Sequence, residues 1–388
     1  MRVPVLMIAA ACALAAQQNS LSSKEISDGW ILLFDGESAF GWAEEGGAKW
    51  SVSDGALVPS GESGYLRSNS AFADYILRID YRAPAEENSG IFLRSAREGQ
   101  PHVTGYELQI FGRHPEYPTG SLVNHIKGKP VNPAPDRWHT FEVTAQGDRF
   151  IVKLDGKTVL DGRDSKSAMG HIGLQYNKDK PVQFRNIKLK PLGLKPIFNG
   201  KNLSGWQVID APKPKEKPEW TVKNGAIHVE KGPGQLETEG TWADFVLQMD
   251  IRTNPQNADH HPNSGVFFRG DPKGYWSGYE SQIRNEYKDG DRTQPVDWGT
   301  GAIYNRKATR KVVPNDGEYF TKTIVANGRH LAVWVNGYPV TDWEDDRPEG
   351  ANARQQAKLK AGTISLQAHD PTTNLDFRNI RIAELPGR

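Results

Sequence analysis

The chain is poor in the features that mark several large protein classes. It has one cysteine among 388 residues, Cys12, so no intrachain disulfide can form and a small stapled scaffold is excluded. Positive and negative side chains nearly cancel, 48 Lys and Arg against 47 Asp and Glu. That leaves no single-sign field of the kind that holds nucleic acid or an anionic membrane surface. Past the first sixteen residues there is no apolar run long enough to span a bilayer. Long apolar stripes of period 3.6 are also missing, which removes helical bundles. So are the G-x-S-x-G elbow, the phosphate-cradling glycine loop and the two-Glu-flanking-Asp strand of sandwich-fold retaining glucanases.

What the chain does have, it has twice. Residues 33–36 read Leu-Phe-Asp-Gly, followed by Gly41-Trp42; residues 197–200 read Ile-Phe-Asn-Gly, followed by Gly205-Trp206. The echo continues in order. Asn-Ser-Gly-Ile-Phe-Leu-Arg (88–94) answers Asn-Ser-Gly-Val-Phe-Phe-Arg (263–269), Tyr-Glu-Leu-Gln-Ile (106–110) answers Tyr-Glu-Ser-Gln-Ile (279–283), and Phe-Arg-Asn-Ile closes both copies at 184–187 and 377–380. A repeat of this length means tandem domains, 26–192 and 195–386, with only Gly193 and Leu194 between them, and predicts that the two pack closely. Ahead of them, Arg2, the apolar stretch from Val3 to Ala11 and Ala13-Leu-Ala15 form the three regions of a signal peptide over 1–16. The expected location is therefore secreted or periplasmic. Lipid anchoring through Cys12 is the weaker alternative, because Ala9-Ala-Ala-Cys12 is a poor lipobox.

Short alternating runs such as Tyr75–Tyr81, Phe150–Leu154, Phe245–Ile251 and Leu331–Val335 have the period of strands. Asp155-Gly156 and Asn336-Gly337 are hairpin turns, because both suit φ > 0 at the two central positions. With 39 Gly and 25 Pro to supply turns, the fold class is all-β, one β-sandwich per copy.

On a strand, Glu280 and Gln282 share a face, as do Glu107 and Gln109. A carboxylate beside an amide can move a proton or grip sugar hydroxyls. The same counting places Arg94 with Phe92 and Arg269 with Phe267. Each arginine then either clamps an anion or sugar, or satisfies a buried carboxylate and backbone ends. The second copy has extra length around 210–218, 254–262, 287–298 and 343–360, bringing His260, His261, Trp298 and Asp345-Asp346-Arg347, and it carries the segment His369-Asp370-Pro-Thr-Thr373 where the first has the plainer Tyr176-Asn-Lys-Asp179. Loops on a rigid sandwich are common seats of binding and catalysis. His260, His261, Glu280, His369 and Asp370 are metal-ligand types without a ligand spacing, so a divalent metal is left open and no cofactor is assigned.

Together, Phe198–Trp206, Asn263–Arg269, Gly278–Ile283, Thr300–Tyr304, Val335–Gly337 and Phe377–Ile380 resemble the 3-keto-disaccharide hydrolase family, once per copy. The resemblance implies two concanavalin A-like jelly-roll sandwiches and cleavage of 3-keto-glycosides or 3-keto-disaccharides. A base removes the C2 proton that the C3 ketone acidifies, the C1 group leaves, and water adds back. In that frame Glu280 is the expected base or hydroxyl anchor, and Arg269, His369 and His260 are candidates for the developing oxyanion. Gln282, Gln367, Asp370 and Tyr304 are expected to contact substrate, with Trp298 or Trp276 stacking on the ring. The second copy is expected to be catalytic and the first, through Glu107 and Gln109, to support it or bind glycan. The other expectation is a non-catalytic glycan-binding module of the cell envelope.

Overall fold

The computed structural model describes residues 18–85, 88–178, 180–214 and 216–387; the expected signal segment, with Cys12, lies outside them. The described chain is two β-sandwiches in tandem, with short helices at Ser23–Ser27 and Pro101–Thr104. Among the described residues no helix is long and apolar enough to cross a membrane.

The first copy departs from the short strands read in the sequence. Trp42–Ser53 and Ala56–Phe72 form one long hairpin, turned by Asp54-Gly55 at φ 50° and 68°. Near the turn the second of these strands pairs with Gln183–Pro191, through Leu57 and Phe184. At its far end it pairs with Gly170–Tyr176, through Leu66 and Leu174. A single eleven-stranded sheet therefore curls over itself. In the second copy the same hairpin is cut into four strands, Trp206–Asp210, Glu219–Lys223, Ala226–Glu230 and Gly234–Thr238. Two sheets result, of eight and five strands. The five-stranded sheet runs, in spatial order, Trp206–Asp210, Gly234–Thr238, Thr363–Ala368, Ser264–Gly270, Tyr279–Ile283. Asp155-Gly156 and Asn336-Gly337 turn as expected, with φ of 48° and 79°, and 49° and 71°.

Strand Tyr75–Arg82 alternates buried and half-buried, as a sheet with one wet face should. Its counterpart Phe245–Thr253 is buried at nearly every position. Phe245, Leu247, Met249 and Ile251 enter the second core, while Val246 joins the first core together with Val325, Ala332, Trp334 and Leu385. The eight-stranded sheet is thus covered on both sides, and the two-residue linker leads to a shared apolar interface. Polar contacts key it in place: Trp334 Nε1 donates to Leu32 O at 2.7 Å, Gln248 Nε2 to Gly29 O at 2.9 Å and Asn69 Nδ2 to Asp342 Oδ1 at 2.9 Å.

Candidate active site on the second sandwich

Alternation along Tyr279–Ile283 sends Tyr279 and Ile283 into the core and Glu280 with Gln282 to the opposite face. Cross-strand register extends that face. Phe267 lies opposite Glu280 and Gly265 opposite Gln282; Ser365 neighbours Phe267, and Gln235 and Glu237 neighbour Gln367 and Ser365. The result is a polar platform across four strands, and it is not a solvated outer face. Glu280 is 5% exposed, and Gln282, Gln367 and Gln235 are 1% each, because loops fold over the sheet. The glycine of the Asn-Ser-Gly motif has a local reason. A Cβ on Gly265 would come within 2.5 Å of Glu280 Oε1, and one on Gly90 within 2.8 Å of Glu107 Oε1. In both copies the carboxyl lies across the glycine.

Arg354 Nη2 meets Glu280 Oε2 at 2.9 Å, its guanidinium 5.2 Å above the Phe267 ring and 5.9 Å from that of Tyr304. Burial raises the Glu280 carboxyl above its ordinary pKa; Arg354 and then His369 pull it back, and Asp297 pushes it up. His369 Nδ1 is bonded to Asp370 Oδ2 at 2.8 Å. That bond first, then those from Thr372, hold Asp370 well below the usual carboxylate range. His369 Nε2 is 3.4 Å from Asn263 Nδ2. Asn263 and Gln282 both donate to Asp297 Oδ2, at 3.2 and 3.0 Å. The side-chain oxygens Gln367 Oε1 and Asn263 Oδ1 are buried with no protein partner, an arrangement that disfavours the empty fold unless a ligand or solvent donor meets them. Asp297, Trp298 and Trp276 all hold left-handed φ, of 46°, 70° and 48°, strain of the kind that gathers at functional sites.

Several expected residues fall elsewhere. Arg269 is not an oxyanion group. It is fully buried, donates to the carbonyls of Ala243, Gly328 and Lys358 and pairs with Asp244 at 2.9 Å. Arg94 does the same in the first copy, to Ala73, Gly147, Ser167 and Asp74. A bulge between Phe267 and Gly270, with Arg269 at φ 53°, turns this side chain off the face that simple alternation gives it. His260 is set back from Glu280: its Nε2 meets Thr372 Oγ1 at 3.1 Å, and Thr372 in turn donates to Asp370. Trp276 stacks on His369, Tyr275 and Phe267, at 5.6, 4.9 and 6.4 Å. It fixes the imidazole plane and has little ring left for a sugar. Trp298, half-buried and edge-on to Tyr304 at 6.1 Å, is the better stacking surface. Among the described residues no three His, Cys, Asp or Glu converge as a metal site; His261 turns to Asp316 at 2.6 Å, away from His260's partner.

Sequence reasoning missed Arg354, Asp297, Gln235, Glu237 and Lys322. The signal for Arg354 was available. Tyr279 is bracketed by Asp345 and Lys358, and Tyr106 by Asp164 and Ser167; the second interval is far shorter, so Arg354 rides on an insertion. Lys322 occupies the place of Phe141 and is buried, donating to the carbonyls of Ser281 and Gln282 at 3.1 and 2.8 Å. Burial pushes its ammonium down to about 7.

Glu107 and Gln109 form a second, smaller platform. Burial raises Glu107 to about 7, Gln175 partly offsetting it. Because the folded value lies above the unfolded one, this stability is complete below about pH 4.5 and is lost as pH rises towards 7. Glu107→Gln is therefore expected to be more stable than the parent at pH 8 by about 2–3 kcal/mol, and no more stable at pH 4. Urea unfolding at both pH values checks this; an equal effect at both would contradict it.

A cavity of about 640 Å³ lies elsewhere, between the sandwiches, walled mainly by residues such as Phe72, Leu192, Trp242 and Leu385. It contains none of the platform residues.

A family model described as a 3-keto-alpha-glucoside-1,2-lyase-like domain matches the chain twice, at residues 29–190 and 193–383. A 3-keto-disaccharide hydrolase of Bacteroides thetaiotaomicron is 27% identical over 130 residues, which cover 30% of this chain and 45% of that relative, so the match spans under half of the relative's length. Among solved structures, a protein of Parabacteroides distasonis provisionally named a glycosyl hydrolase is 24% identical with a TM-score of 0.41, covering 45% of this chain and 100% of the other. The carbohydrate-binding module CBM66 of Bacillus subtilis is 20% identical with a TM-score of 0.31, covering 38% and 94%.

Proposed function

Because the chain belongs to the 3-keto-alpha-glucoside-1,2-lyase-like family, we propose that its second sandwich cleaves the glycosidic bond of 3-keto-glycosides by elimination and hydration at Glu280. The observation that carries this reading is the buried Glu280 carboxyl, raised by burial yet paired with Arg354, beside a histidine held by its own aspartate; Glu237, the other buried carboxyl of the platform, is taken up by Gln207, the Lys273 N–H and Thr363. Two-carboxylate glycosidase chemistry needs a matched pair across the scissile bond. An elimination needs one base, one charge stabiliser and one proton donor.

In the proposed sequence the Glu280 carboxylate takes the C2 proton. The C2–H electrons form a C2=C3 bond, and the ketone oxygen becomes an enolate, met by the Arg354 guanidinium and an amide N–H of Gln367. Collapse of the enolate restores the ketone, forms C1=C2 and expels the C1 oxygen, which takes a proton from His369. Asp370 stabilises the imidazolium that precedes this transfer. Water then adds to C1 and a proton returns to C2, so the net change is hydrolysis. Trp298 and Tyr304 would flank the ring, and Asn263 and Gln367 would accept hydroxyl protons through their free oxygens. His260 supports Asp370 through Thr372. Export from the cell on the Arg2–Ala15 segment belongs to the same reading.

The non-catalytic alternative has support of its own, since free amide oxygens also suit plain binding. Incubation with an aryl 3-keto-glucoside separates the two. The enzyme releases the phenol, and does not release it from the parent aryl glucoside, whose C2 proton is not acidified. Binding without phenol release would leave only the glycan-binding reading.

A further inference from the structure

The first sandwich holds a face of the same design with different chemistry. Register places Phe92 opposite Glu107 and Gly90 opposite Gln109. Gly173 sits beside Phe92, Gln175 beside Tyr65 and Glu45 beyond Tyr65. Tyr65 and Phe92 meet edge to face at 5.6 Å. Gln109 is 4% exposed, and its Oε1 has no protein partner, nor has Gln175 Oε1. Glu107, Tyr65 and Gln175 are half-buried and so within reach from outside.

Two features of the second sandwich are missing from this face. Asp164 and Ser167, three positions apart, hold Tyr106; the thirteen positions from Asp345 to Lys358 around Tyr279 include Arg354. Among the described residues no equivalent of that loop pairs a cation with Glu107. Arg67, in the same cross-strand row through Gly173, is spent on Glu45 at 2.9 and 2.8 Å. The His369-Asp370 pair is replaced by Asn177 and Lys178; Asn177 Nδ2 donates to Asn88 O at 2.7 Å.

We propose that the Glu107–Gln109–Gln175 face is a second saccharide site, which binds neutral pyranosides through their hydroxyls and does not turn them over. Two buried amide oxygens without partners call for O–H donors, the carboxyl beside them completes a fork for neighbouring hydroxyls, and the Tyr65–Phe92 pair supplies an apolar wall for ring C–H groups. Among the described residues no cation is paired with Glu107 and Arg67 is taken up by Glu45, so this face favours a neutral sugar over a phosphate or uronate. The proposal does not depend on the elimination chemistry assigned to the second sandwich.

The test uses the full chain carrying Glu280→Gln, which silences turnover, and saturation-transfer NMR with methyl α- and β-glucopyranoside, methyl galactopyranoside, methyl mannopyranoside and glucuronate. At least one methyl pyranoside is expected to bind. Its affinity should fall at least about tenfold in Gln109→Ala, and likewise in Gln175→Ala, the loss of one or two hydroxyl bonds. Glucuronate should bind worse than the neutral sugars. Gln175 is half-buried, so its variant remains informative if the Gln109 variant does not fold. Binding by no panel member, or binding indifferent to the Gln175 change, would overturn the proposal. Because no keto-sugar is used, failure of the enzymatic reading leaves this result unaffected.

Discussion

Glu280→Gln is expected to lower turnover of a 3-keto-glucoside by about 10³-fold or more while leaving the protein folded. Loss of a positioned base typically removes two to four orders of magnitude. The amide keeps the shape of the carboxyl, so it still lies over Gly265, where a Cβ would have met Glu280 Oε1 at 2.5 Å, and it keeps the core beneath intact. Stability should move the other way. Burial raises the Glu280 carboxyl, so the ionised form is disfavoured in the fold, and its contribution declines as pH rises through the folded value. The variant should therefore be at least as stable as the parent at pH 8. Single-turnover kinetics and urea unfolding read both effects. A kcat within tenfold of the parent would remove Glu280 from the mechanism.

Arg354→Ala is expected to move the acid limb of the kcat/KM profile upward by one pH unit or more. The guanidinium is the largest influence drawing the Glu280 carboxyl down against its burial, and opposite charges at such range lower a carboxyl by about 1–3 units. Without it, Glu280 stays protonated to higher pH, and the ionised fraction able to act as base is smaller on the acid limb. At pH 7 the loss should be about 10–100-fold, and it should shrink as pH rises. What remains at the alkaline plateau measures the separate contribution of Arg354 to the enolate charge. Arg354→Lys should restore part of the shift, since an ammonium keeps the charge without the fork. A uniform loss with an unmoved profile would mean that the arginine acts on substrate alone.

Duplication and alternation made much of this architecture legible from the residues. The paired motifs located both copies, and the period of two put Glu280 with Gln282 on a common face, where register indeed joins them to Gln367. Counting failed where the backbone leaves the strand period. Arg269 sits at positive φ within a bulge, so alternation assigned it to the platform when its guanidinium serves three backbone carbonyls and Asp244. Arg354, paired with Glu280, stands 74 positions along the chain on a loop with no counterpart in the first copy; the extra length marks the loop but not which of its residues reaches the carboxyl. Lys322 was hidden for a different reason. Period two sets it on the inward face with Phe320 and Ile324, where a lysine is not expected, and only the fold brings its ammonium to the carbonyls of Ser281 and Gln282. The long hairpin Trp42–Phe72 was invisible as a unit because Gly and Pro within it resemble ends of strands.

The most direct measurement follows deuterium placed at C2 of an aryl 3-keto-glucoside. If Glu280 removes that hydrogen, phenol release is slowed by the label, the sugar product has lost its deuterium to solvent, and Glu280→Gln shows neither release nor loss. Phenol release with the deuterium retained at C2 would mean direct displacement at C1, and the elimination at Glu280 would be wrong.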